Sequence, residues 1–294
     1  MRRFLLICCV TIMGMVGGIL IPNAPAHASS LGGDALGSQT STAANTTSNY
    51  TLIDDPGLNN QPNAILFVTH VYVSPGNNKN VVYDPHPIGV FYNGYSWGIF
   101  NEDKAPMPIG AVFTVFETFG MNRTYDYTTI QKATVDNSDK QVTYIDNPVS
   151  NNNPNASLIV TPLYDPAGSC GCVYNPHPIG VYYNPVKGLW GIFNEDFAPM
   201  LPNTDFNVQA INASYIRQQA TSANSTADFT IIDDPSTNGN PNLSIGVTQT
   251  FGNQVFNNHN IGVFYNAYFA KWAIFNEDFS PIPLNATFVV FADL

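Results

Sequence analysis

A seven-residue motif that occurs three times constrains this chain more than any other feature. WGIFNED stands at residues 97–103 and at residues 190–196, and WAIFNED stands at residues 272–278, so that each of the three tryptophans opens one copy. Each copy follows IGVFYN or IGVYYN, and an ID(D/N)P turn precedes both. A repeat of roughly 80–90 residues is longer than a propeller blade and predicts small domains in tandem.

The residues within each copy have the pattern of β-strands. In IGVFYN (residues 88–93), Ile88, Val90 and Tyr92 share one face of a strand. A short loop joins this strand to the WGIFNED strand, which predicts an antiparallel hairpin. No long segment has the 3.6-residue periodicity of a helix. The predicted fold class is all-β, with three small antiparallel β-sandwiches or partly open barrels in a row.

Spacing between the copies gives provisional domain boundaries. The ID(D/N)P turns and the strands after them align if the copies span residues 42–132, 133–219 and 220–294. Residues 29–41 are then a linker. The spacing from the ID(D/N)P proline to the next proline is the same in all copies, from Pro56 to Pro62 in the first, which indicates a packed turn.

The N-terminus has the pattern of an export signal. Arg2 and Arg3 precede an uncharged apolar run at residues 4–21, and AHA at residues 26–28 matches a small-x-small cleavage site. We therefore expect a signal peptide at residues 1–28, a mature chain beginning at Ser29 with no membrane span, and a secreted or cell-surface location. A retained membrane anchor is the alternative reading of the same run.

The acidic end of the repeated motif is the first candidate site. Asn101, Glu102 and Asp103 offer three oxygen-bearing side chains, a chemistry that suits Ca²⁺. Their spacing is not that of an EF-hand, and adjacent residues of a strand point to opposite faces. We favour a structural interpretation in which Asn101 and Asp103 bind backbone groups of the following turn. Glu102 is then expected to point the other way and to be more exposed.

Two further residue types recur in every copy. One histidine per copy is too few for a zinc site, and no nucleophile recurs beside it, so that a histidine held by its own turn is favoured. The tryptophans are either stacking platforms for sugar rings or core residues of small domains. The candidate binding residues are His86, Trp97, Asn101 and Asp103, then His177, Trp190, Asn194 and Asp196, then His259, Trp272, Asn276 and Asp278.

The ID(D/N)P turn and one cysteine pair complete the candidates. The residue before the proline of this turn is Asp55 in the first copy but Asn147 in the second. An amide cannot replace a catalytic carboxylate. A turn-forming role survives that change. Cys170 and Cys172 occur only in the second copy, where they could close a disulfide in an oxidising compartment or remain free thiols.

The stretch HPIGVFYNGYSWGIFNEDKAPMP (residues 86–108) resembles a family of exported bacterial repeat proteins. Modules of that family carry the signature HPIGVxYN…WxIFNxDxxPMP after an NGNPNA-like turn, here NNNPNA (residues 151–156) and NGNPNL (residues 238–243). The resemblance covers nearly all of the chain that follows the signal peptide. It implies secretion and a β-rich module, and it implies no activity. The third copy departs from the signature at Asn260, which replaces a proline.

Charge and repetition together favour a binding function. The net charge is −11, and loss of Arg2 and Arg3 makes it more negative, which argues against nucleic-acid binding. Repetition of a module raises avidity without new chemistry. We therefore expect a non-enzymatic, multivalent binding or cell-surface protein, with a glycan or another surface protein as its partner. The alternatives are an extracellular polysaccharide hydrolase and a structural envelope or spore-surface component.

Overall fold

The computed structural model describes residues 35–73, 82–118, 122–123, 126–165, 172–212 and 215–293, and this part of the chain contains strands and no helix. The all-β prediction is confirmed. The strands of the first repeat are β1 Ala35–Thr40, β2 Thr46–Thr47, β3 Tyr50–Leu52, β4 Ile65–Val73, β5 Ile88–Tyr92, β6 Trp97–Asn101 and β7 Val112–Thr118.

The second and third repeats have the same order of strands, with one short extra strand, β8. The second repeat contains β8 Asn122–Arg123, β9 Asp126–Lys132, β10 Ser138–Asp139, β11 Val142–Ile145, β12 Ser157–Tyr164, β13 Ile179–Asn184, β14 Leu189–Asn194 and β15 Asp205–Ile211. The third repeat contains β16 Ile216–Gln219, β17 Ser225–Thr226, β18 Phe229–Ile231, β19 Ser244–Thr250, β20 Ile261–Asn266, β21 Lys271–Asn276 and β22 Thr287–Asp293.

Each repeat forms two sheet halves that face one another. In the first repeat, β1, β7 and β4 make a three-stranded half, and β2, β3, β6 and β5 make a four-stranded half. Leu66 and Phe113 from the first half pack with Trp97 and Ile99 from the second, and all four side chains are buried. The predicted sandwich and its β5–β6 hairpin are thus present, and equivalent cores fill the other repeats.

The repeats are joined into a closed ring because every sheet takes strands from two of them. The four-stranded half of the first repeat continues through a parallel pair, β5 with β12, into the second repeat. The second continues into the third through β13 and β19, and the third returns to the first through β20 and β4. Pairing within each repeat is antiparallel, as predicted, and pairing between repeats is parallel. None of the three sheets closes into a barrel.

Strand pairing moves the boundary of each repeat toward the N-terminus. β1 lies in the segment that the sequence suggested was a linker, yet it pairs with β7 of its own repeat. In the same way β9 pairs with β15, and β16 pairs with β22. These first strands precede the ID(D/N)P turns on which the sequence alignment was based, so the alignment assigned β1 to a linker and assigned β9 and β16 to the preceding copy.

A separate apolar cluster lies where the three repeats meet. Phe67 and Phe116 of the first repeat, Ile159 of the second and Phe291 of the third are all buried in it. Gly246 occupies the position of Phe67 and Ile159, and a Cβ at Gly246 would lie 1.9 Å from the ring of Phe291. A side chain larger than hydrogen would therefore displace that ring. The ring of repeats has a common centre as well as three separate cores.

Candidate functional site

The asparagine of the repeated NED sequence is a buried turn residue in all three repeats. Asn101 is fully buried, and its Nδ2 donates to the backbone carbonyl of Ala105, 3.3 Å away. Asn194 and Asn276 make the same bond to Ala198 and Ser280. The side chain therefore satisfies a backbone acceptor at the point where the strand turns.

The aspartate of the same sequence bonds to the turn and to the repeated histidine. Oδ1 of Asp103 accepts the backbone N–H of Ala105 at 3.0 Å, and its Oδ2 lies 2.6 Å from Nδ1 of His86. The pairs His177–Asp196 and His259–Asp278 repeat this contact at 2.7 and 2.8 Å. In the first repeat, Ile88 pairs with Asn101 at the end of the β5–β6 hairpin. The histidine lies two residues before Ile88 and the aspartate two residues after Asn101, so the antiparallel register brings them together, and the other repeats follow the same spacing.

The glutamate of NED contradicts the expectation that its side chain is exposed. Glu102 is 2% exposed rather than exposed, and its Oε2 accepts the backbone N–H of Asn175 in the second repeat at 2.9 Å. Glu195 accepts the N–H of Asn257 in the third repeat at 3.2 Å. Glu102 does leave the face of Trp97, but the opposite face is covered by the neighbouring repeat. Burial raises the pKa of Glu102 to about 8 and that of Glu195 to about 7.

Two other contacts link successive repeats in the same cyclic order. The residue after NED packs on an aromatic ring of the next repeat: the ammonium of Lys104 lies over the ring of Tyr174, and Phe197 contacts Phe256. Phe279 contacts Tyr83 and so joins the third repeat to the first. The second link is a ring of threonine hydroxyls that accept N–H groups: Val68 donates to Thr161, Val160 to Thr248, and Val247 to Thr69.

The tryptophans are core residues, and their indole N–H groups hold the packed turn that the sequence predicted. Trp97 and Trp272 are 1% exposed. Nε1 of Trp97 donates to the carbonyl of Gln61 at 2.9 Å, immediately before the proline of constant spacing. Trp190 and Trp272 bind Asn153 and Asn240 in the same way. A buried ring offers no face to a sugar, so these residues support the core interpretation rather than the stacking one.

A pocket of about 90 Å³ lies beyond the threonine ring, and equivalent residues of all three repeats line it. We call it the axial pocket, because that lining places it on the approximate threefold axis. Ile88, Ile179 and Ile261 form apolar walls, and the three threonines lie among them. Of the predicted histidines, His86 and His177 line the axial pocket. The third repeat contributes Asn260, which occupies the position of Pro87 and Pro178. The imidazoles of His86 and His177 are about a quarter exposed.

One side of the axial pocket departs from the threefold pattern. His70 occupies the position of Pro162 and Gln249, and Asp84 occupies the position of Asn175 and Asn257. Both residues are buried and line the pocket beside Glu277 of the third repeat. Nδ1 of His70 contacts Oε1 of Glu277. We call His70, Asp84 and Glu277 the polar cluster; it lies at the junction that closes the ring.

The polar cluster contains ionisable groups in a buried setting. Burial raises the pKa of Asp84 to about 6, against the opposing charges of His70 and His86. Burial by itself would lower the pKa of His70, but the carboxylate of Glu277 raises it above the ordinary value. Burial also raises the pKa of Glu277. Oδ2 of Asp84 has no hydrogen-bond partner among the described residues, and Glu277 also interacts with the backbone N–H of Asp84.

The ID(D/N)P turn and the cysteines have roles that the sequence left open. Oδ1 of Asp55 accepts the backbone N–H of Gly57, and Asn147 and Asp234 make the equivalent bonds, so the amide preserves the turn. Cys172 is in a disulfide bond, and Cys170 lies outside the described residues. Within the described ranges, no group of three or more histidine, cysteine, aspartate or glutamate side chains is placed to hold a metal ion.

Sequence reasoning thus found some residues of this region and missed others. The histidines and NED residues were identified, but His70, Asp84 and the threonine ring were not. One signal could have indicated Asp84, because it replaces the asparagine that the other two copies share. The position of His70 differs in all three copies and gives no such signal. Nothing in a single copy indicates that Thr69 accepts a bond from the third repeat.

Comparison with known proteins gives a family and no closer relative. No curated protein and no solved structure has significant similarity to the chain. No helix in the described part of the chain has the length and apolar character needed to cross a membrane. A family model described as a domain of unknown function, DUF7452, matches residues 30–117, 118–210 and 209–292. The chain therefore belongs to the DUF7452 family and carries three tandem copies of its domain.

Proposed function

We propose that the protein is exported, is not an enzyme, and binds a small ligand in the axial pocket. The observation that carries this proposal is the lining of the pocket. All three repeats contribute equivalent apolar residues, and polar side chains stand at defined positions among them. Small-molecule sites are typically concave and apolar with a few polar groups that orient the ligand.

The histidine–aspartate pairs favour binding over catalysis. The Nδ1 atom of His86 and of His177 is engaged by an aspartate, as in a catalytic triad. A triad also needs a nucleophile beside the imidazole, and the described hydrogen bonds of these two histidines include no serine, threonine or cysteine. The aspartates are occupied by turn N–H groups as well. These partners support a positioning role for the imidazoles at the pocket.

A fragment screen of the mature chain, residues 29–294, tests the binding function. Ligand-observed NMR should detect small molecules that bind, and Ile179→Phe should abolish their signals because it narrows the axial pocket. Ile109→Phe is the matched control, since Ile109 is 55% exposed and does not line the pocket. Hits that survive Ile179→Phe, or a screen without hits, would contradict the proposal. The intact mass of the exported protein should correspond to a chain that begins at Ser29.

The multivalent part of the proposal has its own support in the hairpin tips. Tyr95, Val186 and Tyr268 stand at equivalent tips, one per repeat, and are 57%, 95% and 88% exposed. Three apolar tips on one rigid ring could contact a glycan or a surface protein at several points. Glycan-array binding should be measured for the wild type and for a variant in which these three tip residues are replaced by serine. A sharp loss of binding in the variant would support this contact. Unchanged binding in that variant would show that the glycan contacts another part of the protein.

A further inference from the structure

We propose that the ligand of the axial pocket is a small organic cation, a short alkylammonium, whose charged nitrogen is held by Asp84 and Glu277. This inference rests on the proposed binding function and specifies its ligand class. It starts from the departures from threefold symmetry. Asp84 departs from the asparagine that both other junctions share, and it lies beside His70, which stands at a position where the three repeats carry three different residues. A carboxylate in place of a shared, buried asparagine requires a separate explanation.

The asparagine at the other two junctions shows what the fold itself requires. Nδ2 of Asn175 donates to Oδ1 of Asn194 at 2.9 Å, and Nδ2 of Asn257 donates to Oδ1 of Asn276 at 2.8 Å. Asp84 has no N–H to give, so Asn101 donates to Oδ1 of Asp84 instead, at 3.2 Å. Asparagine satisfies the junction twice over in this same chain. The carboxylate of Asp84 is therefore not needed for packing.

Charge at the polar cluster favours a cation. Asp84 and Glu277 supply two carboxyl groups; among the described residues His70 contacts Glu277, and the charge of His86 also acts on Asp84. None of the described residues that line the axial pocket is a lysine or arginine, and the whole chain carries a net charge of −11. Negative groups with low-dielectric walls concentrate cations and repel anions. A carboxylate ligand would meet like charge on this side.

Unused hydrogen-bonding capacity matches an ammonium group. Asp84 and Glu277 are each 1% exposed, and Oδ2 of Asp84 has no partner among the described residues. Buried polar atoms are rarely left unpaired. An alkylammonium brings three N–H donors, and charge-assisted bonds to carboxylates are the stronger kind. The terminal carboxyl torsion is broad, so a small rotation turns either oxygen toward the axial pocket.

Size and apolar walls limit the rest of the ligand. The pocket volume of about 90 Å³ is well below the roughly 300–1,000 Å³ that is typical of sites for drug-sized ligands. The isoleucine walls contact aliphatic carbon well and offer it no hydrogen bond. These limits fit an amine with a few carbon atoms, such as ethylammonium.

Calorimetric titration of the mature chain at pH 7 and low ionic strength tests the assignment. The probes are ethylammonium chloride, sodium propionate, ethanol and calcium chloride. Ethylammonium should bind, and both Asp84→Asn and His70→Gln should preserve the fold, because other repeats use those residues at these positions. Asp84→Asn should weaken ethylammonium binding at least tenfold. His70→Gln should change it less.

Two variants control for charge alone. Asn175→Asp adds an equivalent acid at a residue that does not line the axial pocket, and Asp136→Asn removes an exposed acid. Both should leave ethylammonium binding within twofold of the wild type. Equal weakening in Asp84→Asn and Asp136→Asn would overturn the assignment, because it would reduce the effect to net charge.

The remaining outcomes separate this assignment from the proposed function. If propionate, ethanol or Ca²⁺ binds in a manner that Ile179→Phe abolishes, and ethylammonium does not bind, the pocket is a binding site and the alkylammonium assignment is wrong. If no probe binds and the wider fragment screen is also negative, both proposals are wrong.

Discussion

Oε2 of the Glu102 carboxyl group accepts the backbone N–H of Asn175 at 2.9 Å, and this hydrogen bond joins the first repeat to the second. Glu195 makes the equivalent bond to Asn257 of the third repeat. The three residues of the repeated NED sequence therefore have different structural roles. The asparagine bonds to the turn that follows the strand, and the aspartate bonds to the same turn and to the histidine. The glutamate contacts the next repeat. An acidic motif can recur because each junction needs it.

Stability should fall as pH rises, because the buried glutamates retain protons. Burial raises the pKa of Glu102 from 4.5 to about 8 and that of Glu195 from 4.5 to about 7. The folded protein thus binds more protons than the unfolded chain between pH 4.5 and 8. The contribution of these groups is complete below pH 4.5 and is lost as pH rises through the folded pKa values. Thermal melts should give a Tm several degrees lower at pH 8.5 than at pH 5.5.

The variant Glu102→Gln isolates one of these groups. Glutamine keeps an acceptor for the N–H of Asn175 and cannot ionise, so the decrease in Tm between pH 5.5 and 8.5 should become smaller. Asp136→Asn at an exposed position away from Glu102 is the control and should leave the slope of Tm against pH unchanged. A Tm that rises with pH in the wild type would contradict the assignment.

Asp103 should tolerate loss of its charge better than loss of its acceptors. Asp103→Asn retains an oxygen that accepts the N–H of Ala105. It should therefore lower the free energy of unfolding by less than about 1 kcal/mol. Asp103→Ala removes both acceptors and should cost about 1–3 kcal/mol. Urea unfolding measures both variants. Equal losses would indicate that the carboxylate charge matters most, and a melt that chelator lowers would support a Ca²⁺ site instead.

Trp272→Ala should destabilise the full chain by about 3–5 kcal/mol, because it removes a large side chain from the core of the third repeat. The N–H bond to the carbonyl of Asn240 is lost as well. Urea unfolding followed by circular dichroism gives the magnitude. Tyr268→Ala is the control, since that ring is 88% exposed. A small loss at Trp272 together with loss of ligand binding would return the stacking interpretation to first place.

A fragment of the third repeat should not fold by itself, although its sequence holds every repeated strand. The sequence favours independent folding of residues 220–294. The ring instead pairs β20 with β4 of the first repeat and β19 with β13 of the second. Residues 215–294 should therefore lack a cooperative melt and regain it when mixed with residues 29–212. Cooperative melting of the fragment alone would show that the shared sheets are dispensable.

Local features of this protein are determined by the sequence itself. Alternating residues before and after the short loop predict the β5–β6 hairpin, and the constant proline spacing predicts the turn that binds Trp97. These features depend on contacts within one repeat, where pattern and turn chemistry act over a few residues. The core role of the tryptophans was one of two readings, and burial of Trp97 supports it.

Contacts between repeats were decided only by the tertiary structure. Glu102 lies opposite Trp97 on its strand, as alternation requires, but whether that face meets water or protein depends on a strand far away in the sequence. The same holds for His70 and Asp84, which meet Glu277 because the third repeat pairs with the first. A linear pattern records which side chains share a face. What covers the face follows from ring closure, which no single copy encodes.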